Sequence, residues 1–326
     1  MVKVPARTAW LSRRYVMAAL PAAAALRISP GHAQASAKFF PLAAKSLVLD
    51  VASAGDHLIA VGERGFILKS ADTGKSWQQV ASPADVMLTS VAFIDDRRGV
   101  AVGHDTTILT TADGGETWAV AVHDPDAETP LLTVVYDTPA RILAFGAYGL
   151  VMESVDGGET WTEGRLSADE PHIYGMVRAA NGHMIAAGEA GALFDSADSG
   201  ASWTFVDSSP YDGSYFGILA LDDGGLLIYG LRGNLYRSDD NGANWSQIDI
   251  GTTATLHGAV QRADGSVVVV GLSGTVLVSQ DGRAFDLVNL PDREGLTGAF
   301  ETGDGTLLIY GERGARPFDP AVAIRA

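Results

Sequence analysis

Three arginines stand on one recurring kind of turn. A glycine that follows an apolar pair returns seven times, in "AVGERG", "AVGHDT", "AFGAYG", "AAGEAG", "IYGLRG", "VVGLSG" and "IYGERG", at Gly62, Gly103, Gly146, Gly188, Gly230, Gly271 and Gly311. Two variable residues follow each one: Glu63-Arg64, His104-Asp105, Ala147-Tyr148, Glu189-Ala190, Leu231-Arg232, Leu272-Ser273 and Glu312-Arg313. If Arg64, Arg232 and Arg313 share a face, their planar guanidinium forks suit a carboxylate or the acidic side chains of a partner. The competing reading pairs Arg64 with Glu63 and Arg313 with Glu312 as glue between neighbouring units, and the residue types leave both open. The segments "EPHIYG", "SYFG" and "TLHG" add His172, Tyr174, Tyr215, Phe216 and His257, which join His104 and Tyr148 as candidates for a contact surface. Loop packing is the plainer role for any one of them. The acidic run His123–Glu128 has no metal-ligand spacing and reads as a solvated loop, so no metal or cofactor is expected.

The elements that must position these residues are written in a second repeat. Ser/Thr-x-Asp-x-Gly-x-x-Trp occurs as Ser70-Asp72-Gly74-Trp77, Thr111-Asp113-Gly115-Trp118, Ser154-Asp156-Gly158-Trp161, Ser196-Asp198-Gly200-Trp203 and Ser238-Asp240-Gly242-Trp245. A worn copy, Ser279-Asp281-Gly282-Phe285, lacks one residue and the Trp. The aspartates are 41 to 43 residues apart, a period that means a repeat architecture. Within a unit such as "LLTVVYDTPARILAFGAYGLVMESVDGGETWTEG", four short apolar strands are separated by turn residues. The expected fold is therefore all-β: a seven-bladed β-propeller of four-stranded blades. The Asp and Ser/Thr are expected to accept hydrogen bonds from turn amides, and the Trp to cover the turn, a structural role because it repeats in every blade. The seventh unit shows only three strands and no box. An open edge is a liability, so the segment Ala37–Ala43, "AKFFPLA", is expected to supply the missing strand and close the ring. Units one and seven are then neighbours, which should bring Arg64 close to Arg313.

Residues 1–35 differ from the rest, with five basic residues, no acidic one, a short apolar core and "AQA" at its end. That is the pattern of a signal peptide cleaved near Ala35, and the Arg13-Arg14 pair suits twin-arginine export, with an ordinary Sec signal as the alternative. The remainder, 36–326, is expected to be one propeller domain, exported to the periplasm and monomeric. The absence of cysteine excludes a disulfide framework and a lipid anchor on Cys. The formal net charge of −16, more negative still without the leader, argues against nucleic acid or anionic lipid as a partner.

The Ser/Thr-x-Asp-x-Gly-x-x-Trp motif is the Asp-box, or bacterial neuraminidase repeat. Together with "AVGERGFILKSADTGKSWQQV", "AFGAYGLVMESVDGGETW" and "IYGLRGNLYRSDDNGANW", it makes the chain from about Lys38 to Pro320 resemble the photosystem II stability/assembly factor family. The resemblance implies a seven-bladed, non-enzymatic, exported scaffold that binds a protein and helps assemble or stabilise a membrane complex. Relatives in non-photosynthetic bacteria are similar, and some accompany transporters of the resistance-nodulation-division type. The alternatives are a sialidase-like glycoside hydrolase and a glycan- or small-ligand-binding propeller. Against the hydrolase, the chain lacks the Arg-Ile-Pro segment of sialidases and a separate Tyr/Glu constellation in its last unit.

Overall fold

The computed structural model describes residues 38–320; the expected leader and its expected cleavage site lie outside them. Seven antiparallel sheets follow one another along the chain, at 48–80, 88–122, 131–165, 173–205, 215–247, 256–289 and 296–317. The inner strands meet in sequence, and the first, Val48–Ala54, returns to the last, Leu296–Glu301, so the blades form a closed ring. Among the described residues helical structure is nearly confined to three-residue 3-10 turns, and no helix is long and apolar enough to cross a membrane.

The second strand of every blade is the driest. "GVAVG", "ILAFG", "MIAAG", "LLIYG" and "VVVVG" are buried along their whole length, which is why they read as unbroken apolar runs. Their side chains fill both blade faces, and the core is accordingly a ring of seven clusters between neighbouring blades. Ile59 and Ile67 of blade 1 pack with Trp118 of blade 2, and Val100 and Ile108 of blade 2 with Trp161 of blade 3. The box Trp is thus a wedge against the preceding blade.

Each box is a hydrogen-bonded staple. In blade 1 the Ser70 hydroxyl donates to Asp72 Oδ1 at 2.8 Å and accepts from the Gly74 amide at 2.9 Å, while Asp72 accepts from the Ser76 amide at 2.8 Å and the Ser76 hydroxyl at 2.6 Å. The same set recurs around Asp113, Asp156, Asp198 and Asp240. In the worn copy Asp281 still accepts from the Ser279 hydroxyl and the Arg283 amide.

Ring closure departs from the expectation. The seventh sheet has six four-stranded companions but only three strands of its own, ending at Gly314–Pro317, and residues 38–47 add no fourth. Proline at position 41 has no amide proton to give a ladder. The segment instead forms a 3-10 turn at Ala43–Lys45, packed between the outer strands of blades 7 and 1. The Phe40 amide donates to Gln79 Oε1, Gln79 Nε2 donates to the Lys38 carbonyl, and the Phe40 ring meets Phe66 at 5.2 Å. Val48, Phe66, Leu308, Tyr310 and Ala43 complete the seam as one buried cluster.

Candidate functional site at the channel mouth

The glycine turns and the starts of the inner strands lie at one end of the channel. The backbone proves the pairing: the Glu63, Glu189 and Glu312 amides donate to the carbonyls of Leu47, His172 and Gly295, each just before or at an inner strand. The carboxylates of the same residues make a second latch. Glu189 accepts from the His172 amide at 2.9 Å, Glu312 from the Gly295 amide at 3.0 Å and Glu63 from the Leu47 amide at 3.4 Å. Glu63 and Glu312 are therefore engaged with backbone, and neither forms an ion pair with the arginine beside it.

That leaves the arginines facing outward. Arg64 and Arg232 are exposed and take no part in an ion pair among the described residues. Arg313 is also exposed and lies 3.7 Å from Asp292. The turns of Arg64 and Arg313 are both contacted by the stretch 44–47, whose Leu47 carbonyl accepts from Glu63 and whose Ala44 carbonyl abuts Gly314. Arg64, Tyr148 and Arg232 have φ of 55°, 55° and 57°, the left-handed region that non-glycine residues avoid. Six of the seven turns hold a side chain this way at their tips, so the conformation belongs to the repeated turn, and the side chain it presents differs from blade to blade.

The aromatic candidates form a continuous run across blades 3 to 6. Tyr148 meets His172 with ring centres 4.9 Å apart, His172 meets Tyr174 at 6.4 Å, Tyr174 meets Phe216 at 5.1 Å and Phe216 meets His257 at 5.0 Å, all near edge to face. Tyr148 stands out at 51% exposure, whereas Tyr174, Phe216 and His257 line the channel. Burial lowers the pKa of His257 from 6.5, keeping it neutral at neutral pH. His104 stays outside the run, on the turn of blade 2, its amide bonded to the Met87 carbonyl.

Tyr215 is not part of this surface. It is fully buried, its hydroxyl 3.0 Å from the Ser209 hydroxyl and accepting from the Tyr211 amide. The inner strand carries a register shift between Tyr215 and Gly217, and Phe216, within that irregularity, takes the channel-lining place.

Below the mouth lies a channel of about 440 Å³. The third position of successive inner strands reads Asp50, Ser90, Thr133, Gly175, Gly217, Gly258 and Gly298. Three successive blades thus present polar side chains and the other four present bare backbone. Gly217 and Gly298 leave room for tyrosines of the second strands: a Cβ on either would lie 2.3 or 2.2 Å from the hydroxyl of Tyr229 or Tyr310. Both tyrosines line the channel, and Tyr310 donates to Asp50 Oδ1 at 3.4 Å. Asp50 also accepts from the Ser90 hydroxyl at 2.8 Å and the amides of Val51 and Val91 at 2.9 Å. Burial nevertheless raises its pKa above 3.8, and raises those of Tyr229 and Tyr310 above 10.

A family model described as "Photosynthesis system II assembly factor YCF48" matches residues 69–129 and 120–285. The chain belongs to this family. Its fold is similar to that of a solved structure described as YCF48 bound to D1 peptide, at 20% identity and a TM-score of 0.69, over 87% of this chain and 98% of the other. YCF48 from Cyanidioschyzon merolae is similar at 18% identity and the same TM-score, over 88% and 100%. A virginiamycin B lyase from Staphylococcus aureus reaches a TM-score of 0.71 at 11% identity, over 83% and 93%. At these identities each likeness is one of fold, and the ring therefore does not choose between scaffold and enzyme. No curated protein sequence matches the chain.

Proposed function

We propose that this YCF48-family protein is an exported, non-enzymatic propeller that holds a peptide segment of a client protein on its channel-mouth face, assisting assembly or stability of a membrane complex. The observation that carries the reading is the aromatic run from Tyr148 to His257, an amphipathic strip spanning four blades, with the exposed guanidinium groups of Arg64 and Arg232 on turns at the same end of the ring. Rigid rings at a preformed surface are the usual anchors of a protein contact, and arginines at its rim favour acidic side chains or a terminal carboxylate. A relative of the same fold is described as bound to a peptide, which supports this class of ligand.

The chemistry of the channel argues against a sialidase-like enzyme. No arginine lines the channel to hold a substrate carboxylate. The single tyrosine–carboxylate couple there, Tyr310 with Asp50, has its phenol pKa raised by burial and by the neighbouring negative charge, the reverse of an activated nucleophile. Crosslinked capture from the cell envelope tests the proposal. The wild-type protein should enrich one membrane complex, and Tyr174→Asp with Phe216→Asp should lose it while still folding. Equal enrichment by wild type and variant overturns the assignment of the face.

A further inference from the structure

The channel wall holds a carboxylate without a counter-charge. Asp50 forms no ion pair with a basic residue, and its partners are two amides and two hydroxyls. The channel lining contains no lysine or arginine, and its lone imidazole, His257, is kept neutral by burial at neutral pH. Enclosed carboxylates in folded proteins are normally paired, because removing one from water is costly. Protein hydrogen bonds offset part of that cost here, yet burial still dominates and raises the pKa.

We propose that the channel throat is a binding site for an organic cation, an alkylammonium or alkylguanidinium group that reaches Asp50 between Tyr229 and Tyr310. Three features select this chemistry. The carboxylate gives the site its sign. The rings of Tyr174 and Phe216 line the way in, and aromatic rings attract organic cations more readily than they attract a strongly hydrated metal ion. No cluster of three metal-ligating side chains exists among the described residues, so a lone carboxylate beside phenols does not make a metal cage. The volume of about 440 Å³ accommodates a butyl-length cation with accompanying water. The site does not use the outward-facing arginines, and it shares with the client-binding face only the rings Tyr174 and Phe216 at its entrance.

The test is calorimetry on the mature protein at neutral pH with n-butylammonium, N-butylguanidinium and the neutral isostere 1-butanol. The cations should bind at least about tenfold more tightly than the alcohol, and Asp50→Asn should abolish that difference. Because Asp50 ties the inner strands of blades 1 and 2 together, Asp50→Asn is checked for native unfolding. If it fails to fold, the wild type alone decides: cation affinity should fall as pH is lowered and Asp50 is protonated. A lysine-bearing pentapeptide and its norleucine counterpart separate the sources. Tighter binding of the lysine peptide than of butylammonium assigns the site to a client side chain, and the opposite order assigns it to a free small amine. Equal affinity for cation and alcohol, or a cation affinity that does not fall as pH is lowered and the carboxyl is protonated, overturns the proposal. A client peptide that still binds at the mouth in that case leaves the peptide-binding reading standing.

Discussion

The indole Nε1 of Trp77 donates to the carbonyl of Ala315, 3.1 Å away, and so joins the first blade to the third strand of the seventh. The equivalent nitrogens of Trp118 and Trp161 bond instead to Gly115 and Gly158 of their own boxes, each at 3.1 Å. Trp77 therefore acts as a clasp where its counterparts act as local staples. With the Thr297 hydroxyl, which donates to the Val48 carbonyl at 2.6 Å, it closes the ring without a shared strand. Trp77→Phe should cost about 1 kcal/mol, the net worth of a lost hydrogen bond, as read from denaturant unfolding. Trp161→Ala, which empties a buried wedge, should cost about 3–5 kcal/mol.

Acid should unfold the protein through its boxes. The hydroxyl and amide of Ser76 hold the Asp72 carboxyl at about 2, and Asp113, Asp156, Asp198, Asp240 and Asp281 are also lowered from 3.8. A depressed carboxyl contributes stability that is present above its unfolded value and disappears as pH falls through the folded one. The raised carboxyl of Asp50 acts in the opposite sense, weakening the fold as pH climbs past 3.8, but it is one group against six. Thermal midpoints should therefore fall steeply from about pH 4 towards pH 2. A flat profile over that window contradicts the staple.

The crossing of Tyr229 over Gly217 gives a compensation test. Gly217→Ala places a methyl within 2.3 Å of the Tyr229 hydroxyl and should destabilise by about 1–3 kcal/mol. Tyr229→Val should recover a large part of that loss in the double variant, because the ring that meets the methyl is gone. Additive costs in the unfolding cycle contradict the packing.

Tyr148 should show function opposed to stability. With φ at 55° it holds a strained backbone, so Tyr148→Gly should leave stability unchanged or raise it by up to about 1 kcal/mol. The same change removes the outer end of the aromatic run and should weaken client binding.

The repeat made the ring legible because each blade restates its strands, its box and its turn. The channel was less so, for a physical reason visible at Tyr215 and Phe216. Side chains alternate along a strand, and the register shift before Gly217 decides which of two adjacent rings meets the channel. Asp50 was open to discovery: "VLDVASA" aligned with "YFGILA" and "LTGAFE" puts an aspartate in a glycine column. The closing segment misled because "AKFFPLA" is apolar enough for a strand, whereas Pro41 and the Phe40–Phe66 contact favour a turn wedged between blades.

The most direct measurement is the affinity of a fluorescent client-derived peptide for the wild-type protein, for Phe216→Asp and Arg64→Glu on the mouth face, and for Arg283→Glu on the box face. Arg283 is exposed and bonded to Asp239 on the far side of the ring, so its reversal tests the box face. The account predicts a loss of about tenfold or more for each mouth variant and little change for Arg283→Glu, all with native unfolding midpoints. Undiminished binding by Phe216→Asp and Arg64→Glu, with loss in Arg283→Glu, contradicts it and moves the client to the box face.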